Sequence, residues 1–236
     1  DWDFLRLFHE IKQSLIKSKE YGEIDSIAID TWGVDFGLID KSGRLLENPV
    51  HYRDSRTAGT SDYSKRFIDH NRLYEKTGIQ IMEINTAFQL LSIIRDRSEL
   101  LDRADKMLMM PDLFAYYLGA KPVAEMSIAS TTQLFDANTK TWSEECCERL
   151  KIKHSLLPEI VAPKQYLAVR LCERVHRRVE RGAPFPGEQR LRHAQRVGQL
   201  DLLERYGAAA QYLPAAGESA RARHDRKPCL ERAAAG

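Results

Sequence analysis

Metal-binding signatures are missing from this chain. Its four cysteines comprise an adjacent pair, Cys146 and Cys147, poorly placed to bridge each other, and two that stand alone, Cys172 and Cys229. Neither Cys-x-x-Cys nor His-Glu-x-x-His spacing occurs, so no zinc or other metal is expected, and the thiols read as those of a reducing, cytoplasmic compartment. No apolar run approaches the roughly eighteen residues that cross a bilayer, which excludes a helical membrane span. The opening Asp1-Trp2-Asp3 lacks an initiator Met, a basic region and an apolar signal segment, and reads as a chain that begins in mid-fold. A formal net charge of +2 over 236 residues points to no nucleic-acid or membrane partner.

What is present is ordinary for a globular protein, with 43% hydrophobic and 30% charged residues, but it is unevenly spread. Residues 1–165 hold 12 Lys, 10 Arg and 26 acids, a net of −4; residues 166–236 hold 1 Lys, 13 Arg and 8 acids, a net of +6. Isoleucine falls from 15 to none across that break, and Asn, Thr, Met and Trp vanish while Ala reaches 13. Two chemistries share one chain. We expect a folded part over 1–163 and an Arg/Ala-rich tail over 164–236.

In the first part, Asp3 is placed to cap a helix in which Phe4, Leu7, Phe8, Ile11 and Leu15 share a face, with Gly22 as its stop. Ser26–Asp30 reads as a buried strand ending in an acid. Val34–Asp40 alternates as a second strand, and Lys41-Ser42-Gly43 turns it into Arg44-Leu45-Leu46 as a hairpin. The polar, aromatic stretch Pro49–Arg56 reads as a loop. Helices are expected over Ser61–Asp69, over Arg72–Lys76 and from Thr86, the last burying Phe88 and Leu91 or Leu90 together with Ile94. Met107–Met110 reads as a strand, Pro111 as a first helical residue, and Asp112–Leu118 as a helix ended by Gly119. Alternating strands and helices of this kind define an α/β fold.

Five blocks carry a family resemblance. Gly22–Asp40, with Thr31-Trp32-Gly33-Val34-Asp35 inside it, and Asn48–Thr57, with His51-Tyr52-Arg53-Asp54-Ser55-Arg56, are the most specific. Leu73–Gln80 with Asn85-Thr86 and Gln89-Leu90, Leu108–Phe114 and Ala129–Leu134 follow in the same order and spacing. Over residues 1–163 the chain resembles the rhamnulose-phosphorylating members of the FGGY carbohydrate kinase family. The resemblance implies the N-terminal domain of an actin-like, ribonuclease-H-like fold, in which the sugar lies on the N-terminal half and most of the nucleotide on the C-terminal half. It implies ATP and Mg2+ as cofactors, L-rhamnulose as the sugar, and transfer to the sugar's primary hydroxyl with a carboxylate of the C-terminal half as general base.

The residues named for the sugar are Gly33, Trp32, Asp35, Tyr52, Arg53 and Gln89. The resemblance maps a substrate contact onto Gly33, whose bare backbone suits close approach by a sugar, although a turn glycine would look the same. Trp32 could lie along a sugar face or fill the core. Asp35 alternates with Val34 and Phe36, so its carboxylate either accepts sugar hydroxyls or sits on a solvated strand face. Tyr52, Arg53, Asp54 and Arg56 either hold hydroxyls or form a salt-bridge network that sets the loop. Gln89 lies one turn beyond Asn85, which suits a helix N-cap. Glu10, Asp30 and Asp112 read as caps or dipole partners, and His51 as structural.

No catalytic residue is assigned. The family's Asp-x-Gly-x-Ser-x-x-Gly-Arg phosphate turn and its His-Asp-Thr base segment have no counterpart here; His224-Asp225-Arg226 is the nearest string, in the wrong context. The tail has the composition of a GC-rich gene read out of frame. Codons allowed for Val197-Gly198-Gln199-Leu200-Asp201, read one base later, permit Ser-Gly-Ser-Trp-Thr, similar to the family's Ser-Gly-Thr-Trp-Ser. We therefore expect a frameshift near 163–167 and a non-native or disordered tail. The rival reading makes the basic tail, with a helix over Gln199–Tyr206, a nucleic-acid or partner-binding appendage, but its basic residues are scattered and carry no motif. A non-catalytic sugar-binding module and a kinase for another ketose, fuculose or xylulose, are the alternative functions.

Overall fold

The computed structural model describes residues 1–22 and 26–163. The tail expected over 164–236, with Cys172, Cys229 and the Gln199–Tyr206 helix, lies outside the described residues. Helix α1 (Phe4–Lys17) starts where expected, because the Asp3 carboxylate accepts the backbone N–H of Arg6 and occupies an otherwise orphaned donor. Its apolar stripe buries Phe4 and Phe8 and packs Leu7, Ile11 and Leu15 at the margin of the same cluster. A short 3-10 turn, Ser18–Tyr21, follows, and Gly22 leaves it at a φ of 119° that a side chain rarely adopts.

The expected strand at Ser26–Asp30 does not form. A strand is defined by its ladder, and among the described residues none pairs with this segment. Only the alternation survives: Ile27 and Ile29 pack inward against the α1 cluster while Ser26, Ala28 and Asp30 stay exposed. Strand β1 (Phe36–Ile39) is shorter than predicted, because Val34 takes a φ of 65° and breaks the extended run. The hairpin is present. Asp40 N–H donates to Arg44 O and Leu46 N–H to Leu38 O, both at 2.9 Å, while the Asp40 carboxylate gathers the Ser42 and Arg44 amides across the turn.

Beyond the loop, α2 (Thr60–Ser64) is a single turn and α3 (His70–Thr77) begins at Asp69, whose carboxylate accepts from Asn71 and Arg72 N–H. The helix expected over Ser61–Asp69 instead ends at Ser64, and the chain turns before Asp69 starts a new one. Helix α4 (Thr86–Asp96) is buried at every position from Thr86 to Ile93 rather than along one face. After α5 (Ser98–Arg103), β2 (Lys106–Met109) runs antiparallel to β1, with Phe36 opposite Met109 and Ile39 opposite Lys106. It leads directly into α6 (Met110–Leu118), where Pro111 sits in the first turn and Gly119, at φ 116°, closes the end.

Side-chain alternation divides the β1–β2 pair between two apolar clusters. Phe36, Leu38, Met107 and Met109 face α4, while Ile39 and Leu108 face α1 and α6. Both faces are covered, which is why β1 reads as a continuous buried run. Gly37 permits the closer side. A Cβ there would lie 2.6 Å from Leu113 Cδ2 and 2.9 Å from Leu45 Cδ1, so those side-chain tips would have to shift to admit one, and glycine lets α6 pack at this distance.

The rest of the described chain is β3 (Val123–Glu125), α7 (Met126–Ala129), β4 (Phe135–Asp136), β5 (Thr141–Trp142), α8 (Glu144–Arg149) and β6 (Glu159–Val161). Strand β3 pairs with β6 in parallel and β4 with β5 as an antiparallel ribbon. Cys146 and Cys147 are buried in α8 with free thiols. No helix among the described residues is long and apolar enough to cross a membrane.

Candidate functional site

Trp32, Gly33, Asp35 and Gln89, singled out from the sequence, meet at a corner between α1 and β1. Asp35 N–H donates to Gly33 O at 2.8 Å across Val34, whose φ is 65°, which makes a γ-turn of the strained, positive-φ kind. A β-branched residue there costs about 1–3 kcal/mol and persists only where its surroundings over-determine it. They do. Val34 N–H donates to Thr131 Oγ1 at 3.2 Å, and Val34 O accepts from Thr86 Oγ1 at 2.7 Å and from Gln89 Nε2 at 3.2 Å.

Asp35 is fully buried, not solvated, and its carboxylate is already engaged. Oδ2 accepts both indole N–H groups, Trp2 at 2.6 Å and Trp32 at 2.9 Å, and Oδ1 accepts Gln89 Nε2 at 3.2 Å. Gln89 is equally enclosed. Its Nε2 also lies 2.9 Å from Ile84 O, and its Oε1 accepts Arg56 Nη2 at 2.7 Å. Both residues therefore shape the site from beneath. Gly33 has an internal reason to be glycine, since an added Cβ would meet Thr131 Cγ2 and Oγ1 at 3.2 Å.

A ladder of rings joins the corner to the 49–57 loop. Trp32 and Trp2 lie 4.2 Å apart between centroids, Trp2 stacks on His51 at 4.7 Å, and His51 stacks on Tyr52 at 4.4 Å. Each of these rings is only partly buried. Arg53 lies over the Tyr52 ring, 5.4 Å from its centroid, and is exposed. The inward arginine is Arg56. Burial pulls its guanidinium below its ordinary value against the opposing charges of Asp54, Glu47 and Asp35, and its Nε is buried with no hydrogen-bond partner. Among the described residues no ion pair involves Arg53, Asp54 or Arg56; Asp54 instead caps a short 3-10 turn by accepting Arg56 N–H.

Trp32, Gly33, Asp35 and Gln89 are thus brought together, Tyr52 joins them through stacked rings, and Arg53 stands outside. Trp2, Thr86 and Thr131 complete the arrangement although the sequence reading did not place them there; the Ala129–Leu134 block was the one available signal for Thr131. Asn85 occupies the N-cap position of α4 but makes no capping bond, donating to Gln80 O and Gln133 Oε1. Glu10 pairs with Arg6 in solvent. Asp112 is buried near the start of α6 with Oδ2 unpartnered; desolvation pushes its carboxyl up to about 7, Glu125 adding repulsion and the Glu125 N–H opposing it. Half-exposed rings beside a fixed polar corner suit a neutral, hydroxylated ligand. Among the described residues no group of His, Cys, Asp and Glu could hold a metal ion.

The fold is that of a carbohydrate kinase's N-terminal domain. Residues 2–175 match the N-terminal domain of the FGGY family of carbohydrate kinases, and the chain belongs to that family. Solved structures similar in fold include a gluconate kinase from Lactobacillus acidophilus, with a TM-score of 0.66 at 20% identity, covering 74% of this chain and 36% of that one. The Plasmodium falciparum glycerol kinase with ADP gives 0.58 at 21%, covering 67% and 34%. Among curated proteins, the rhamnulokinase of Enterococcus faecalis is 43% identical over 164 residues, 69% of this chain and 32% of that protein. The rhamnulokinase of Bacteroides thetaiotaomicron is 39% identical over 183 residues, 77% of this chain and 38% of that protein. The chain thus spans about a third of the length of the curated relatives it matches.

Proposed function

We propose that this chain supplies the sugar-binding side of a cytoplasmic kinase that transfers phosphate from ATP, with Mg2+, to the primary hydroxyl of L-rhamnulose, and that it does not catalyse the transfer alone. The observation that carries the reading is the Trp32–Asp35 corner, where a strained turn and a buried carboxylate hold two rings at the edge of a partly open surface. Trp32 and Tyr52 offer apolar ring area to the sugar, Gly33 offers backbone, and Arg53 offers a solvent-side donor. Asp35 and Gln89 hold that surface in shape. The names of the relatives support rhamnulose as the ketose. No group of His, Cys, Asp and Glu among the described residues could hold a metal ion; in such a reaction the nucleotide supplies the phosphoryl group and a carboxylate takes the hydroxyl proton.

The purified chain mixed with ATP, magnesium and L-rhamnulose should give no phosphorylated sugar, and turnover above a blank overturns the inactive reading. Calorimetry without nucleotide separates the rival binding module: a one-sided surface leaves the sugar wet, so weak heat at most is expected, and a tight saturable isotherm favours the module. Fuculose or xylulose as the true ketose is decided by a substrate panel on a whole protein that includes this segment. The boundary at 163 and the out-of-frame origin of 164–236 belong to the same proposal, and resequencing the coding DNA tests them.

A further inference from the structure

We propose that Arg56 is a positioning residue for the Trp32–Asp35 corner, acting through the Gln89 amide. The inference goes beyond the sugar-kinase reading and is decided without any ligand. Gln89 Nε2 carries two hydrogens but has three oxygens in reach: Ile84 O at 2.9 Å, and Val34 O and Asp35 Oδ1 at 3.2 Å each. One N–H is therefore shared, and a shared donor is easily re-aimed. What pins the amide is its other end, where Arg56 Nη2 donates a charge-assisted bond of 2.7 Å to Oε1. A cation on the carbonyl oxygen also polarises the amide and strengthens what its N–H groups give to Asp35 and Val34.

Arg56 is itself fixed for this task. Its backbone N–H donates to the Asp54 carboxylate at 2.9 Å, and its carbonyl accepts Arg95 Nη2 at 2.9 Å. No carboxylate among the described residues pairs with its guanidinium, and Nε finds no partner. Gln89 is the one side chain to which the guanidinium donates among the described residues. Without that donor, Gln89 Oε1 becomes a buried, unsatisfied acceptor, and the amide regains hydration by turning into the space Arg56 vacates. Its N–H then leaves Asp35 Oδ1, and the carboxylate rotates against the indoles of Trp2 and Trp32.

The chain's three tryptophans give the readout. Trp142 donates its indole N–H to Pro158 O at 2.6 Å, inside the other cluster, and serves as the internal control. Nitrogen-15 correlation spectra of the 236-residue chain show each indole N–H, with Trp2→Phe and Trp32→Phe assigning two of them. In Arg56→Met the Trp2 and Trp32 signals should move by more than a line width while Trp142 stays, and Arg56→Lys should return them toward their original positions. Unmoved signals overturn the proposal. So does a Trp142 shift of similar size, which marks general loosening, or a lysine variant that behaves like the methionine one. If Arg56→Met does not fold, Gln89→Glu replaces it: the new side chain keeps an acceptor for Arg56 but has no N–H for Asp35. The same two indole signals should then move alone, and any other pattern refutes the relay.

Discussion

Replacing Asp35 by Asn changes almost no volume but cannot satisfy the donors that surround it. The carboxylate has two acceptor oxygens, one taking two indole N–H groups and the other the Gln89 amide. Asparagine offers one oxygen and one NH2. With the oxygen toward Trp2 and Trp32, the new NH2 faces the Gln89 NH2, donor against donor; with the amide reversed, it faces two indole donors. The better orientation still leaves a buried donor unpaired, at about 1–3 kcal/mol, and each indole bond loses its charge assistance, at about 1 kcal/mol. Relief from burying a charge offsets part of this, leaving about 2–4 kcal/mol of destabilisation. Urea unfolding followed by tryptophan fluorescence measures it, as a lower midpoint with unchanged slope. A loss under about 0.5 kcal/mol, the scale of an ordinary surface substitution, would mean that the carboxylate is not held as described.

Gly37→Ala places a methyl carbon 2.6 Å from Leu113 Cδ2, and overpacking of this kind should cost about 1–3 kcal/mol, read as a lower melting temperature, whereas no change would show that α6 yields freely. Asp112 supplies a pH dependence: its folded carboxyl is pushed up to about 7 by burial, above the ordinary value near 3.8, so the folded state binds the extra proton. That stability is present below the unfolded value and is lost as pH rises through the folded one, at up to about 1.4 kcal/mol per pH unit. Urea midpoints should fall between pH 5 and about pH 7, and Asp112→Asn should flatten that part of the profile.

Local signals in the sequence were sound guides wherever the partner lay close in the chain. The Asp3 cap, the α1 stripe, the Asp40–Arg44 hairpin and the Gly119 stop are all fixed within a few residues and all appear. Ser26–Asp30 shows the limit, because alternation sets which side chains face inward but cannot create the neighbour that a ladder needs. The site was half legible for the same reason. Thr31–Asp35 and Gln89 were marked by resemblance, but Trp2 reaches Asp35 across 33 residues, Thr86 reaches Val34 across 52 and Thr131 across 97, and no spacing rule links them. Of the two arginines in the loop, the chosen Arg53 faces solvent and Arg56 faces in. Arg53 precedes the Asp54 cap and Arg56 lies inside the turn it caps, and only that geometry tells them apart.

Val34 explains why the corner exists at all. In an extended strand, side chains three positions apart project to opposite faces, so Trp32 and Asp35 could not meet. The γ-turn at φ 65° reverses the chain between them and brings the Trp32 indole to 2.9 Å from the Asp35 carboxylate. Its strain of about 1–3 kcal/mol is of the same order as the net worth of the Val34 and Asp35 hydrogen bonds, at about 0.5–1.5 kcal/mol for each neutral one. Neither side of that balance is comfortable alone. Removing any one of Thr86, Gln89 or Thr131 should let Val34 relax toward ordinary extended backbone, and with it the Trp32 ring would leave Asp35. The turn is thus a consequence of distant side chains converging on one peptide group, and the surface it presents lasts only as long as they do.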